Sequence, residues 1–526
     1  MTVDETLENY VPLSQSPVWD LLRSYYDILG VDAWAPGRVP DYVTTNPFIA
    51  RAYAKVIRGF LEDFGQGRSA RARREPHYIV ELGAGPGRFS HGFLRHFFSH
   101  EELKVTRRQH IVYVMTDVCE ANIEFWRQHP QLKPFVDQGV LDFAYFDVLK
   151  DDPIRLLISG RKITPGGLSN PLAVIANYVI DSLPHDFYTV RDNRLFERRV
   201  CHRIETDSDD IAKIVRATRF DYHEQPTTAD IYEHEDWNRL LEKYRKMTGE
   251  LHISLPVGGF RMIDRLQQLT TGPMFLLSGD FGVSDLLALS ELPPRKVPTN
   301  GTFNLHVNYH AISQYVERKK GQFLAPGHAK SSLEMAGVLM NRGRRKARHL
   351  TYQFDIHIRD FGPDEYFMLK KIAEENFAGL SLPQCLALLR MSYGDIKMFR
   401  GCAETLRKTL PMAGALQKQS IVEALKKVDE AYYRGDSALD PAIPIILLML
   451  EAGDVEGALD VVDRNRQFLE ATTEGTLLAA EILWLAGRAG DARDPLKNLL
   501  RREPGHREAQ VLLDRIADNA EASGTA

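Results

Sequence analysis

Four polar side chains stand at the ends of four successive apolar runs. Glu81 lies one residue from the end of "HYIVEL", Asp117 closes "IVYVMTD", Asp147 follows "LDFAYF" and Asn177 closes "LAVIAN". Short, β-rich runs that are apolar throughout read as strands of a sheet buried on both faces, and in open α/β sheets ligands collect outside the carboxyl ends of the strands. Any one of the four would pass as a capping or surface residue, but four at successive strand ends make a set. A carboxylate at 81 can contact the ammonium of an amino-acid moiety, directly or through water. One at 117 can accept two ribose hydroxyls with charge-assisted strength, and one at 147 is placed for the exocyclic amine of adenine.

Between the first run and a helix expected to begin near Arg88 lies Gly83-Ala84-Gly85-Pro86-Gly87. Glycines permit positive φ and close backbone approach, so such a turn can press its N–H groups against a ligand at a helix N-terminus. A dinucleotide fold wants G-x-G-x-x-G; here the third glycine comes one residue early, which argues against NAD. Taken alone, the glycines would also serve a tight structural turn. With the strand-end residues, they point to a site for an adenosyl amino acid.

The elements that must hold this set follow from the pattern around it. A chain of 526 residues, 44% hydrophobic and 26% charged, is too long for one core and reads as globular, with two or three domains. Residues 1–76 read as a helical segment forming a lid over substrate or cofactor, interrupted by the loop "WAPGRVPDYVTTNPF" and ending in the basic linker "GRSARARREP". Residues 77–345 alternate strands with helices, an α/β core with a mostly parallel sheet, and carry an irregular, helical insertion over about 192–269. After the basic hinge "NRGRRKARHL" the pattern over 346–520 is all-α. "LEAGDVEGALDVVDR" repeats as "GRAGDARDPLKNLLR" at an offset of 37 when Ala452 is laid on Ala489, close to the roughly 34-residue period of tetratricopeptide helix pairs. The tail "AEASGTA" reads as disordered.

Composition removes several classes. A formal charge of −5 gives no electrostatic reason to expect nucleic acid or a membrane surface as the main partner. Cys119, Cys201, Cys385 and Cys402 are far apart in sequence without metal spacing, which suggests buried thiols in a reducing compartment. The acidic N-terminus lacks an apolar leader core, and "IPIILLML" falls short of the ~18–20 residues a membrane span needs, so a cytoplasmic protein is expected. His306, His310, Asp280 and His328 are the nearest approach to a metal set, and no metal is expected from them. There is no G-x-S-x-G element and no Walker A sequence.

With these residues in place, the chain resembles the class I S-adenosylmethionine-dependent methyltransferases, and within them the MidA-like family, whose members are associated with protein arginine methylation and respiratory complex I assembly. "ELGAGPGR" at 81 resembles the family's cofactor loop. "ANYVIDSLPHDFY" at 176 resembles its "ANEFFDALPVHxF", sharing Ala176, Asn177, Asp181, Leu183 and Pro184. "LLSGDFG" at 276 and "NLHVNY" at 304 resemble its "lliDYG" and "tAHVDF" segments, and "YVTTNPFIARAYAKVI" at 42 matches an upstream segment more loosely. The resemblance covers about residues 18–340 and implies a Rossmann-like domain, with S-adenosyl-L-methionine held by Glu81, Gly83, Ala84, Gly85, Gly87, Asp117, Asp147 and Asn177. Three family carboxylates are missing, replaced by Phe48, Tyr178 and Asn308.

Methyl transfer from a sulfonium is an in-line displacement, so the protein positions a nucleophile, excludes water and manages one proton. Asp181 and His306 are the candidates for substrate positioning and general base, with Asp280 as supporting acid. Asp181 would equally suit a cap for the turn at Ser182-Leu183-Pro184, and His306 a satisfied loop histidine. Three functional readings remain. The first is methylation of a protein or peptide, arginine among the acceptors, with the helical repeats docking substrate or partner. The second is methylation of a small-molecule nitrogen or oxygen, with the repeats serving a homodimer. The third is an assembly scaffold built on a degenerate methyltransferase fold. The lost carboxylates weaken the arginine acceptor in particular, because a guanidinium with a pKa of about 12.5 or more must be steered by negative charge.

Overall fold

The apolar runs are buried end to end, and that burial sets the architecture. In chain order α1 (Val18–Leu29) and α2 (Pro47–Phe64) precede β1 (His77–Leu82), α3 (Arg88–Phe97), β2 (Ile111–Asp117), α4 (Glu120–Gln128), β3 (Leu141–Tyr145) and β4 (Leu172–Asn177). Then come β5 (Asp186–Arg191), β6 (Arg194–Ile204), β7 (Thr218–Thr227), α5 (Glu235–Arg245), β8 (Leu251–Leu255), α6 (Val257–Leu269), β9 (Met274–Asp280), α7 (Tyr309–Arg318), β10 (Gln322–Leu324) and β11 (Glu334–Met340). This computed structural model describes residues 9–35, 38–39, 41–65, 70–99, 110–298, 302–328, 333–435 and 440–523. The beginning of the basic linker "GRSARARREP" and parts of the "WAPGRVPDYVTTNPF" loop fall outside them. The chain divides into two compact units, Met1–Phe367 and Met368–Ala526.

The first unit is built on a seven-stranded sheet ordered β10-β11-β9-β4-β1-β2-β3. β1, β2, β3, β4 and β9 run parallel, and β10 and β11 close one edge antiparallel. This is the Rossmann-like, mostly parallel sheet expected from the alternation of strands and helices. Every residue of β1, β2 and β9 is buried, and each apolar side chain so buried contributes roughly 1.5–3 kcal/mol. Val80 lies opposite both Val114 and Val174, so the register centres the sheet on β1. Chain order reverses beside β1, between β2 on one side and β4 on the other, and such a switch point opens a crevice at the strand ends.

α2 starts where it does because the Asn46 side chain accepts from Ile49 N at 3.1 Å and Pro47 occupies the first helical position. It packs on α3 so closely that a Cβ added at Gly92 would meet the Ala50 methyl at 3.0 Å.

The insertion expected to be helical over 192–269 combines helix with an antiparallel sheet. β8-β5-β6-β7 form a four-stranded antiparallel sheet, and helix covers α5, α6 and a short turn before β7. The β5–β6 hairpin turns on Asp192 and Asn193, with φ of 51° and 58°, the left-handed pair of a two-residue turn that Asp and Asn tolerate. That dipeptide was the visible signal, and the charged residues around it masked the alternation.

Residues 346–367, expected to open the helical domain, pack with the first unit. α8 (Arg348–Phe354) lies against α2, where a Cβ at Gly59 would come within 2.8 Å of the His349 carbonyl oxygen. α9 (Pro363–Glu374) runs across the boundary between the units.

The second unit is all-α: α10 (Leu382–Met391), α11 (Ile396–Thr409), α12 (Ala415–Ala431), α13 (Ala442–Ala452), α14 (Val455–Leu469), α15 (Thr473–Leu485), α16 (Arg493–Arg502) and α17 (Arg507–Ser523). Helix runs to Ser523, so most of the tail expected to be disordered continues α17; the last three residues lie outside the described ones. Gly453 and Gly487, with φ of 85° and 75°, end α13 and follow α15. These two helix-ending glycines are 34 positions apart, three fewer than the offset of the Ala-Gly-Asp alignment. The reason is local. Asp454 caps α14 by accepting from Gly457 N at 3.0 Å, whereas Asp491 sits in a 3-10 turn and pairs with Arg488.

All four cysteines are free. Cys385 and Cys402, distant in sequence, meet in the core of the second unit, and burial pushes the Cys402 thiol up. No helix among the described residues is long and apolar enough to cross a membrane.

Candidate functional site

A cavity of about 370 Å³ opens at the carboxyl ends of β1, β2, β3 and β4, at the switch point of the sheet. Glu81, Gly83, Ala84, Gly85, Asp117, Asp147 and Asn177 all line it. Gly87 does not; at φ 87° it ends the turn as the left-handed residue before α3. Seven residues chosen from sequence thus converge on one space.

Glu81 is buried, and its Oε2 accepts from the Ser90 hydroxyl and from the Tyr113 hydroxyl at 2.7 Å. Burial pushes its carboxyl up to about 7 against the pull of those two bonds. Asp117 holds the turn: its Oδ2 accepts from Gly85 N at 3.0 Å and Asn122 Nδ2 at 3.2 Å, and its Oδ1 from Cys119 N at 3.0 Å. Burial raises this carboxyl too, opposed by the same donors. The Gly85 N–H, expected to face a ligand, is therefore engaged by Asp117.

Asp147 Oδ2 accepts from Arg23 of α1 at 2.6 Å, so a partner for adenine would share this carboxylate with a guanidinium. Asn177 Oδ1 accepts from the Tyr53 hydroxyl at 2.7 Å, while its Nδ2 is buried with no hydrogen-bond partner.

The residues that roof the cavity were not legible as site residues. Trp19, Arg23, Tyr26 and Trp34 come from the N-terminal segment and Asn304 from the loop before α7. Tyr26 stacks on Trp34 at 5.5 Å and 26°, and a Cβ at Gly85 would stand 2.9 Å from the Trp34 ring. At φ 53° and under an indole, position 85 admits only glycine without strain. The amphipathic pattern of α1 says that one face is covered; it cannot say which side chains of the lid meet the cavity.

The lining fits an adenosyl amino acid. Glu81 lines the cavity and keeps a second oxygen that makes no hydrogen bond among the described residues, an acceptor for an ammonium. Asp117, with three of a carboxylate's roughly four lone-pair positions engaged, keeps one for a hydroxyl. The unpartnered Asn177 Nδ2 is a buried donor without a role inside the protein, a costly state unless a ligand accepts from it.

Residues 66–283 match the model of a protein family described as "Putative S-adenosyl-L-methionine-dependent methyltransferase". The matched span is that of an S-adenosylmethionine-dependent methyltransferase. The match also supports the resemblance to the MidA-like methyltransferases. Among solved structures, the methyltransferase is similar to an uncharacterized superfamily protein from Burkholderia thailandensis, at 13% identity and a TM-score of 0.39, over 66% of this chain and 91% of that one. It is also similar to a second member of that superfamily from the same organism, solved with S-adenosyl-homocysteine bound, at 12% identity and a TM-score of 0.40, over 66% and 92%. No curated protein matches the chain.

The candidate catalytic residues of the methyltransferase lie outside the cavity wall. Asp181 and Asp280 are brought together and fully buried: Asp181 N donates to Asp280 Oδ1 at 3.3 Å. Burial pushes Asp181 up to about 6, and Asp280, buried beside that charge, is raised well above the carboxylate range. Asp280 also accepts from Ser278 and Tyr309, both at 3.0 Å.

Asp181 caps no helix; it reaches the cavity through two lining residues, accepting from Ser182 Oγ at 3.0 Å and Asn304 Nδ2 at 2.8 Å. His306 packs edge-on against Phe281 at 4.7 Å, away from the cavity lining, and burial pushes it down to about 4. His310 bonds the Tyr244 hydroxyl at 2.7 Å and His328 pairs with Glu365 at 2.9 Å. Among the described residues, no three His, Cys, Asp or Glu side chains converge to hold a metal.

The three replaced family carboxylates have separate fates. Phe48 is buried and stacks on Tyr366 at 4.6 Å and 4°. Asn308 caps α7 by accepting from Ala311 N at 2.9 Å. Tyr178 alone lines the cavity, held at φ 52° with its N–H donating to Gly279 O at 2.9 Å. A bulky residue there stores roughly 1–3 kcal/mol of backbone strain, a cost that recurs at functional sites. Burial, with the charges of Asp181 and Asp280, holds its phenol above the usual range, so it stands neutral as a donor.

Proposed function

We propose that the enzyme methylates a protein or peptide side chain, presented by the helical region 368–526. The observation that carries this reading is the helix array of the second unit, in which the glycines that end α13 and follow α15 are 34 positions apart. That spacing equals the period of tetratricopeptide pairs, an architecture whose stacked helices recognise polypeptide. The bound cofactor supplies an electrophilic methyl group. The protein's part is to roof the cavity with Trp19, Tyr26 and Trp34, excluding water, and to orient the nucleophile by Tyr178 and Ser182.

The released proton has a path from the cavity to Asp181 through Ser182, whose hydroxyl already donates to that carboxylate. An arginine acceptor fits least well. Two of the carboxylates that line the cavity are paired, Asp41 with Arg88 at 2.8 Å and Asp147 with Arg23 at 2.6 Å, and Phe48, Tyr178 and Asn308 stand where the family has carboxylates. A less basic nitrogen or a hydroxyl matches a neutral phenol and a hydroxyl better.

The second reading, a small-molecule acceptor, is favoured by the aromatic roof, which would close over a ligand of limited size. Incubating the enzyme with methyl-labelled cofactor and cell lysate, then separating by mass, discriminates the two. Label in protein supports the proposal; label only in the low-mass fraction supports the second reading and overturns the first.

A further inference from the structure

The segment Arg342–Arg348 carries five cations in seven positions: Arg342, Arg344, Arg345, Lys346 and Arg348. None of them has a carboxylate partner among the described residues. Arg342 and Arg345 hydrogen-bond only backbone oxygens, those of Arg345 and Phe64, at 3.3 and 3.5 Å. Two nearby acids are committed elsewhere. Asp63 holds His349 Nδ1 at 2.8 Å and Leu350 N at 2.9 Å, and Asp355 pairs with Arg359 at 2.5 Å. Elsewhere in the first unit arginines are commonly paired, as at Arg191, Arg203, Arg239 and Arg318. Five like charges within seven positions repel one another, and no ion pair among the described residues offsets that repulsion.

Three of the five, Arg342, Lys346 and Arg348, line an open pocket of about 440 Å³ together with Gln322, Thr351 and Tyr352; Asp355, already paired, also lines it. The pocket thus joins cationic forks to neutral amide and hydroxyl donors, a set that suits a ligand made of acceptors only. A carboxylate would bring one charge and two oxygens to this surplus. A phosphoryl group brings a charge of about −1.5 to −2 and three acceptor oxygens, and guanidinium forks bind it bidentately.

We infer that the pocket around Arg342, Lys346 and Arg348 binds a phosphoryl-bearing anion, either a soluble phosphate compound or the headgroup of an anionic lipid. The inference is independent of the methyl acceptor and of the cofactor cavity.

Two arms of one experiment on the full chain distinguish the sources. Inorganic pyrophosphate is titrated calorimetrically, and vesicles of phosphatidylcholine with and without phosphatidic acid are used for co-sedimentation. The comparison protein carries Arg342→Gln, Lys346→Gln and Arg348→Gln, with S-adenosyl-homocysteine binding as the control for an intact fold. Saturable pyrophosphate binding that weakens by about tenfold or more in the variant supports a soluble ligand. Sedimentation that needs phosphatidic acid and these side chains, without pyrophosphate binding, supports the lipid headgroup. Both effects should fade as salt is raised. No binding in either arm, or binding that the substitutions leave unchanged, overturns the inference. If the triple variant loses its fold, Lys346→Glu, a single change at an exposed side chain, gives the same reading.

Discussion

At Glu81, desolvation and recognition act in opposite directions. The carboxyl is buried and pushed up to about 7, yet an ammonium partner needs it ionised. Cofactor affinity should therefore fall about tenfold between about pH 8 and about pH 6, as the free protein takes up a proton there. Glu81→Gln should flatten that profile at the low level, measured by titration calorimetry across pH. Stability moves the other way. A carboxyl whose folded pKa lies above its unfolded one favours folding at low pH, and that advantage is lost as pH rises from about 4.5 through about 7. Glu81→Gln should accordingly unfold at higher denaturant concentration than the parent at about pH 8, by up to roughly 3 kcal/mol. The residue types at 81, 117, 147 and 177 were legible because strand ends in a parallel sheet are marked by the apolar runs before them. Their hydrogen-bond partners were not: Arg23, Tyr53, Ser90 and Asn122 reach them through the fold rather than through any local pattern.

Among the elements, α1 belongs to the segment expected to form a lid, and what the sequence concealed is how it is fastened. Its Arg23 ties Asp147 at 2.6 Å and the Tyr145 hydroxyl at 2.7 Å, fastening the roof to the end of β3. Arg23→Ala should cost about 1 kcal/mol of stability, since the pair is partly exposed, and should speed release of cofactor. Trp19 and Trp34 line the cavity, so their fluorescence offers a direct readout of that release in stopped flow. The insertion after β4 shows the converse failure. Its helical charge pattern was real at α5, but β6 and β7 carry exposed arginines at 194, 203 and 219 and a buried Glu197 paired with Arg199 on an antiparallel ribbon, and an apolar period of two does not survive that composition. The parallel strands were readable because they are buried on both faces, and the ribbon was not because it is half exposed.

For the whole molecule, the chain forms two compact units. The cavity and every residue assigned to it belong to Met1–Phe367, whereas the helices from α10 to α17 belong to the other unit. A chain ending at Glu375, just past α9, should bind S-adenosylmethionine as the full chain does but lose most transfer of label to lysate protein. Equal protein labelling by both chains would remove the helical unit from substrate recognition. The division into an α/β part and an all-α part was visible in the sequence; the boundary was misplaced by about twenty residues because α8, though helical, buries its face on α2.

The central claim is that the cavity at the strand ends holds the cofactor through Asp117 and its neighbours. Calorimetric titration of the full chain with S-adenosylmethionine and S-adenosyl-homocysteine, repeated on Asp117→Ala, tests it most directly. The account predicts saturable binding of one molecule per chain, and loss of that binding in a variant that still unfolds cooperatively. Binding that survives the substitution, or a folded parent protein that binds neither compound, would contradict it.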